Sequence, residues 1–437
     1  MNKVLVIGAA RSGIAVSKLL KQHQYEVILT DQNQIKEKVE LEALGIQVFD
    51  QGHPESLKEM DYDFIVKNPG IPYHGDFVSY FVKQNIPIYT EIEIGYRFAK
   101  HFTYGAITGT NGKTTTVTML YEILKAHSTS FVAGNIGIPL SEVVLQHENV
   151  TANIALELSN FQLLGVDTFK AKVSCVTNLS PDHLDYMDGV ASYYQSKMKI
   201  YEHADPDAYF LRNLDDTQVV AYAKNIPCRV LDYSLDKEAD IYLQANQVYY
   251  HDVKLFDTNS LQVVGKHNIS NAMVASAMAY LMGVDTTTIQ NVLASFKGVE
   301  HRLEYVTSIN DIRFFNDSKA TNPEAVVPAL EAFDKNIILL AGGYDKKLSF
   351  DILKAYDDRV KMCFSFGETK HAFKDIFTNT HECETMQQAV HEAYAIAKPG
   401  DVILLSPACA SYDQFTSYEQ RGELFKECVH ELLGERK

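Results

Sequence analysis

Apolar residues in this chain fall into short unbroken runs, separated by stretches with helical spacing. KVLVIGA (3–9), EVILTD (26–31), IQVFD (46–50) and FIVKNPGI (64–71) are such runs, and GIAVSKLLKQH (13–23) lies between the first two. A continuous apolar run fits a strand buried on both faces, and alternation with helices predicts a parallel, doubly wound sheet. The cycle restarts at YGAITGTNGKTTTVTMLYEILKAH (104–127), a strand, a glycine turn and a helix, with further strands at ANIALELS (152–159) and AKVSCVTNLS (171–180). Short β-prone runs such as QVYYHDVKL (247–255) follow, then a small-residue helix, GKHNISNAMVASAMAYLMGV (265–284). FKGVEHRLEYV (296–306) reads as a hinge into a third α/β cycle: IRFFNDS, KNIILLAGGYDK, MCFSFGE and DVILLSPACAS. The expectation is three α/β domains, at residues 1–91, 92–298 and 299–437: Rossmann-like, nucleotide-triphosphatase-like with a mostly parallel sheet, and Rossmann-like again.

Composition narrows the class. At 437 residues, 46% hydrophobic and 22% charged, the chain has the make-up of a globular enzyme of two or three domains. A net charge of −16 argues against nucleic acid as a partner, because phosphate neutralisation needs a basic face. No apolar run approaches the roughly 18 residues of a membrane span, and the opening MNKVLVIGAA reads as a strand rather than a signal peptide. Six scattered cysteines without a Cys-x-x-Cys pair fit reduced thiols. A cytoplasmic enzyme is expected.

Two glycine loops carry the candidate chemistry. In GAARSG, Gly8 and Gly13 flank a loop whose middle position is Ala10, and Asp31 closes the second strand, where a dinucleotide fold holds a ribose. Three readings remain: a dinucleotide, a packing turn, or another nucleotide diphosphate on the helix N-terminus. In TGTNGKTTT, Gly109 and Gly112 let backbone amides turn toward phosphate. Lys113 adds a cation, and Thr114 or Thr115 a hydroxyl for Mg²⁺. The glycine spacing is shorter than in the usual triphosphatase loop. Glu157 and His183 end later strands, on the side of a parallel sheet where ligands gather.

With TGTNGKTTT, the segments GNIG (134–137), LELSNFQ, TNLSPDHLD, GKHNISNA, EHRLE and NDSKATNP occur in an order that resembles the Mur ligase family, the ATP-dependent amide-forming enzymes of peptidoglycan assembly. The resemblance covers nearly the whole chain. SPACASYDQFTSYEQRG (406–422) looks like the members that join D-glutamate to UDP-N-acetylmuramoyl-L-alanine. It implies that a substrate carboxylate attacks the γ-phosphate of ATP, and that the amine of D-glutamate then displaces phosphate from the acyl phosphate. It further implies ATP at Gly109, Thr110, Asn111, Gly112, Lys113, Thr114, Thr115, Asn268, Asn271, Arg302 and Asp317. Two Mg²⁺ sites are implied at Thr114, Glu157, His183 and Lys197, the last as a CO₂-derived carbamate. Lys113, Glu157, His183 and Lys197 are thus the implied catalytic set. The UDP substrate is assigned to Arg11, Ser12, Asp31, Gln32, Gly70 and Asn135, and D-glutamate to Lys319, Thr321, Lys346, Ser411 and Tyr418. A monomer without nucleic-acid or membrane partners is expected, with domain closure bringing Arg302 and Asp317 to ATP. Against this stand another family member or a folylpolyglutamate synthase-like ligase, an NAD-dependent oxidoreductase, and a non-catalytic nucleotide switch.

Overall fold

The computed structural model describes residues 2–99, 101–181, 187 and 189–434. The apolar runs become the centres of three sheets. Gln47–Phe49, Glu26–Thr30, Lys3–Ile7, Phe64–Lys67 and Ile88–Tyr89 pair in that order, all parallel. Val4, Leu5, Val6 and Ile7 are wholly buried, which is why this strand reads as an unbroken run rather than an alternation. Helix Arg11–Gln22 follows through a joint that needs its glycines. Gly8 sits at φ +99°, and a Cβ on Gly13 would lie 1.8 Å from the Gly8 carbonyl oxygen.

The second sheet has nine strands, in the order Val253–Asp257, Gln247–Tyr250, Ile241–Gln244, Arg229–Ser234, Tyr209–Asn213, Val173–Val176, Phe102–Thr108, Ala152–Glu157 and Ser130–Gly134. All pairs are parallel except the two among Ile241–Asp257, where QVYYHDVKL closes as an antiparallel hairpin. The third sheet runs Glu304–Ile309, Ile312–Asn316, Val402–Leu405, Ile337–Gly342, Val360–Phe366 and Thr380–Glu382. Its first pair is antiparallel and the rest are parallel. The stretch expected as a hinge therefore runs into an edge strand, Glu304–Ile309. Its side chains are mostly half-buried, so it lacks the apolar run that marks its neighbours. The turn that returns it, Asn310 and Asp311 at φ +53° and +61°, has the two left-handed residues of a type I′ hairpin.

By contact the chain forms two compact units. One holds residues 1–259 and 270–293, with the first two sheets; the other holds 260–269 and 294–437, with the third. The small-residue helix Lys266–Leu281 carries the division near its start. All six cysteines are free. Among the described residues, no helix is long and apolar enough to cross a membrane.

Candidate active site

The loop between strand Phe102–Thr108 and helix Lys113–His127 is held open by two left-handed glycines. Gly109 and Gly112 have φ +143° and +81°; a Cβ on the first would meet Thr177 Oγ1 at 2.0 Å, and on the second Asn271 Oδ1 at 2.6 Å. Neighbouring segments fix the rest. Thr110 N–H donates to the Asn178 carbonyl at 2.9 Å, Asn111 N–H to Asn178 Oδ1 at 2.9 Å, and Thr110 Oγ1 to the Ser180 carbonyl at 3.1 Å. Asn271 Oδ1 accepts from Thr116 Oγ1 at 3.1 Å. Thr114 and Thr115 follow in the first helical turn, the second of them buried.

Two lysines meet at this loop. Lys113 Nζ donates to the carbonyls of Gly109 and Thr110 at 2.9 and 2.7 Å, and Lys197 Nζ donates to the same Gly109 oxygen at 2.8 Å. Lys197 is only 1% exposed and lies 4.6 Å from the centre of the Tyr193 ring, so it is not a solvated helix lysine. His183 lies outside the described residues.

One strand over, Glu157 is level with Ile107 in the parallel register. Asn135 Nδ2 donates to Glu157 Oε1 at 2.8 Å, and Asn135 N–H to the Glu157 carbonyl at 2.9 Å. Glu157 is 1% exposed, yet among the described residues its Oε2 has no hydrogen-bond partner. A buried carboxylate oxygen left bare is costly unless a cation or donor completes it. An oxygen ligand beside threonine hydroxyls and a glycine loop fits a hard divalent ion such as Mg²⁺.

The first sheet carries a cavity of about 700 Å³ at the C-terminal ends of its strands, lined in part by Asp31, Gln32, His53, Asn68, Gly70 and Phe77. This is the switch point of the strand order, where open α/β sheets bind ligands. Asp31 is already engaged: Oδ2 accepts from Ala9 N–H at 2.7 Å and Oδ1 from Asn33 N–H at 2.8 Å, so its carboxylate braces the glycine loop. Arg11 and Ser12 do not line the cavity. Arg11 Nη2 donates to the Gly137 carbonyl at 3.1 Å, and Ser12 Oγ donates to Asn68 Oδ1. Asn135 belongs with Glu157 rather than with this cavity.

In the second unit, the loops after strands Ile312–Asn316, Ile337–Gly342 and Val402–Leu405 bring several of the expected residues to one end of the sheet. Asp317 is buried; it accepts from Leu303 N–H at 3.1 Å and from Ser406 Oγ at 2.7 Å. Burial pushes its carboxyl up to about 7. Arg302 is exposed, and its charge acts in the opposite direction on Asp317. Lys319 Nζ lies 5.6 Å from the Tyr418 ring centre, and Lys346 Nζ is 3.4 Å from the Thr321 carbonyl oxygen. Ser411 is 2% exposed. Asn268 Nδ2 donates to the Val264 carbonyl at 2.7 Å.

Sequence reasoning passed over three groups. Arg421 is wholly buried and donates to the carbonyls of Ser318, Cys409 and Ala410 at 2.9, 3.0 and 3.3 Å, and to Ser318 Oγ at 3.0 Å. Burial lowers its guanidinium to about 10. Its one fork thereby ties the loop of Lys319 to the loop of Ser411. Lys67 is likewise buried and donates to the carbonyls of Asn68, Pro69 and Ile71 at 3.1, 3.3 and 2.5 Å, setting the cavity wall. His53 stacks on Phe77 at 4.4 Å inside the cavity. The only prior signal for Arg421 was its place in YEQRG; Lys67 and His53 carried none.

Comparison with known proteins agrees with this geometry. A family model of the Mur ligase middle domain matches residues 107–279, and one of the Mur ligase glutamate ligase domain matches residues 301–409. A UDP-N-acetylmuramoylalanine–D-glutamate ligase of Geobacillus sp. (strain WCH70) is 40% identical over 443 residues, covering 99% of this chain and 98% of the relative. The enzyme of that name from Bacillus mycoides (strain KBAB4) is 41% identical over 444 residues, with the same coverage. Among solved structures, UDP-N-acetylmuramate-alanine ligase MurC from Thermotoga maritima aligns with a TM-score of 0.57 at 17% identity, over 99% of this chain and 100% of that one. A pseudomurein peptide ligase type C from Methanothermus fervidus gives 0.57 at 18%, over 99% and 100%. At such identities these two structures speak for the fold alone.

Proposed function

The chain belongs to the Mur ligase family, and from that premise we propose that it is the ATP-dependent ligase that joins D-glutamate to UDP-N-acetylmuramoyl-L-alanine, forming ADP and phosphate in peptidoglycan precursor synthesis. The observation that carries this reading is the 40% identity to ligases of that name over 99% of the chain.

The chemistry must turn a carboxylate, which has no good leaving group, into an acyl donor. A carboxylate oxygen of the alanyl end attacks the γ-phosphorus, the bond to ADP breaks, and an acyl phosphate results. The amine of D-glutamate attacks the acyl carbon, and the tetrahedral intermediate expels phosphate. Glu157 and Thr114 would hold Mg²⁺, which would neutralise charge on the triphosphate and the attacking carboxylate. Lys113 leaves its loop carbonyls to hold the β- and γ-phosphates, while amides of Gly109–Thr115 cradle them. In this reading Lys197 is carbamylated and supports a second ion together with His183, a role suited to a buried lysine next to the phosphate loop. Asn268, Asn271, Arg302 and Asp317 serve the nucleotide.

The cavity of the first sheet, with Asp31, Gln32 and Gly70, takes the uridine nucleotide, and Arg11, Ser12 and Asn135 shape its path toward the reacting end. Lys319, Thr321, Lys346, Ser411 and Tyr418 receive D-glutamate, two lysines suiting an amino acid with two carboxylates. The functional division follows residues 1–91, 92–298 and 299–437, and the enzyme works as a cytoplasmic monomer. The test is ADP release from ATP, Mg²⁺ and UDP-N-acetylmuramoyl-L-alanine, with D-glutamate, L-glutamate, L-lysine or meso-diaminopimelate. Release that depends on D-glutamate alone supports the reading; folded protein releasing ADP with none of them, or with another amino acid instead, overturns it.

A further inference from the structure

Away from the substrate loops, His381, Cys383 and Glu392 bring one nitrogen, one sulfur and one oxygen within 4.8 Å of one another. Local structure explains the meeting. His381 and Cys383 are two apart at the end of edge strand Thr380–Glu382, so their side chains leave on one face. Helix Met386–Ile396 covers that face and carries Glu392. Glu392 Oε2 lies 2.8 Å from His381 Nε2 and 3.8 Å from Cys383 Sγ. The other carboxylate oxygen is held away: Gln388 Nε2 donates to Glu392 Oε1 at 2.8 Å, and Gln388 Oε1 in turn accepts from Glu384 N–H at 2.9 Å. A carboxylate oriented by a neighbouring amide, with one oxygen turned to an imidazole and a thiol, is how a metal site is supported from behind.

Among the described residues one other group of this kind exists, Glu300, His301 and Glu423. There Lys426 Nζ already stands 2.6 Å from Glu300 and 2.8 Å from Glu423, so the position of a cation is filled by the protein itself. Among the described residues no lysine or arginine is ion-paired with Glu392; its ionic partner is His381.

We propose that His381, Cys383 and Glu392 form a binding site for one divalent metal ion of the zinc class, with the fourth position open to water or an added ligand. Tetrahedral zinc bonds of about 2.0–2.3 Å require donor-to-donor edges of about 3.3–3.6 Å. The separations of 2.8 and 3.8 Å straddle that range, and the half-exposed His381 and Glu392 side chains can turn by the difference. Sulfur and imidazole donors select zinc, cobalt or nickel over the Mg²⁺ that serves phosphate chemistry. Without metal the thiol stays protonated, since burial and then the nearby Glu392 push Cys383 up to about 12. Binding exchanges the thiol proton for the ion: Cys–SH and M²⁺ give a metal thiolate and H⁺.

The experiment uses the full chain, stripped with chelator and kept in saturating Mg²⁺. Titration with Co²⁺ should produce a thiolate-to-cobalt charge-transfer band that saturates at one equivalent, and Zn²⁺ should abolish it by displacement. Cys383→Ser should lose the band. His381→Gln, a change at a half-exposed position, should weaken Zn²⁺ binding at least about tenfold while leaving the metal-free melting temperature unchanged. A folded wild-type chain without the band, a band that survives Cys383→Ser, or a Zn²⁺ affinity that His381→Gln does not move overturns the proposal. Because the readouts are spectroscopic and calorimetric, they stand apart from any assay of ligation.

Discussion

Asn135 grips Glu157 twice, through Nδ2 to Oε1 at 2.8 Å and through its own N–H to the Glu157 carbonyl at 2.9 Å, and so aims Oε2, which has no partner among the described residues. Losing support of this kind costs metal affinity or activity. Asn135→Ala should raise the Mg²⁺ concentration for half-maximal activity by about 10–100-fold, with most of kcat recovered at high Mg²⁺. An unchanged Mg²⁺ dependence removes Asn135 from this role.

Lys197 tests the carbamate. In Lys197→Ala, activity should collapse, and acetate or formate should restore part of it by standing in for the carbamate. The same change strips the Gly109 carbonyl of one donor, a stability cost of about 1–3 kcal/mol. Denaturant unfolding separates that cost from the kinetic loss. Full activity in Lys197→Ala, or collapse with no rescue in a chain that remains folded, counts against the carbamate.

Arg421 touches the loops that carry Lys319 and Ser411 through neutral acceptors, three carbonyls and the Ser318 hydroxyl. A lysine offers no planar fork for carbonyls on separate segments. Arg421→Lys should raise KM for D-glutamate at least about tenfold, with KM for ATP nearly constant. If the two KM values rise together, Arg421 serves the whole unit and not this pocket.

Glu91 gives a pH signature. It is buried; Oε2 accepts from Ser141 N–H at 2.9 Å, and burial raises the carboxyl to about 7. The folded chain therefore holds this proton more tightly than the unfolded one. The stabilisation is complete below the ordinary value of 4.5 and disappears as pH climbs through 7. Its size is up to about 3 kcal/mol. Between pH 5 and pH 8, Glu91→Gln should lose less stability than the wild type, as read by chemical denaturation at both pH values. Parallel losses refute the assignment.

Fold class was legible because both-face burial leaves an unbroken mark on a strand, as in Val4–Ile7 and Ile337–Gly342. The strand Glu304–Ile309 was missed for the converse reason, since an edge position keeps its side chains partly wet. In the candidate site, Gly109, Gly112 and Lys113 were readable because phosphate binding constrains residue type and spacing together. Lys197 was singled out only by resemblance; one buried ammonium in a polar helix leaves no pattern. Arg421 and Lys67 were invisible for a related reason. Their partners are mostly backbone carbonyls, and a carbonyl has no letter in the sequence.

The third sheet also sets an order of events. Strand Ile312–Asn316 first finds Glu304–Ile309, its hairpin neighbour, through a turn of two residues. Its other neighbour, Val402–Leu405, is also the bridge to Ile337–Gly342, and it is made nearly a hundred residues later. The sheet thus depends on one long-range strand whose loop closure costs more entropy than the local hairpin. The same strand leads directly into Ser406, whose hydroxyl meets Asp317. Completing the sheet therefore also brings the Ser406 hydroxyl to Asp317.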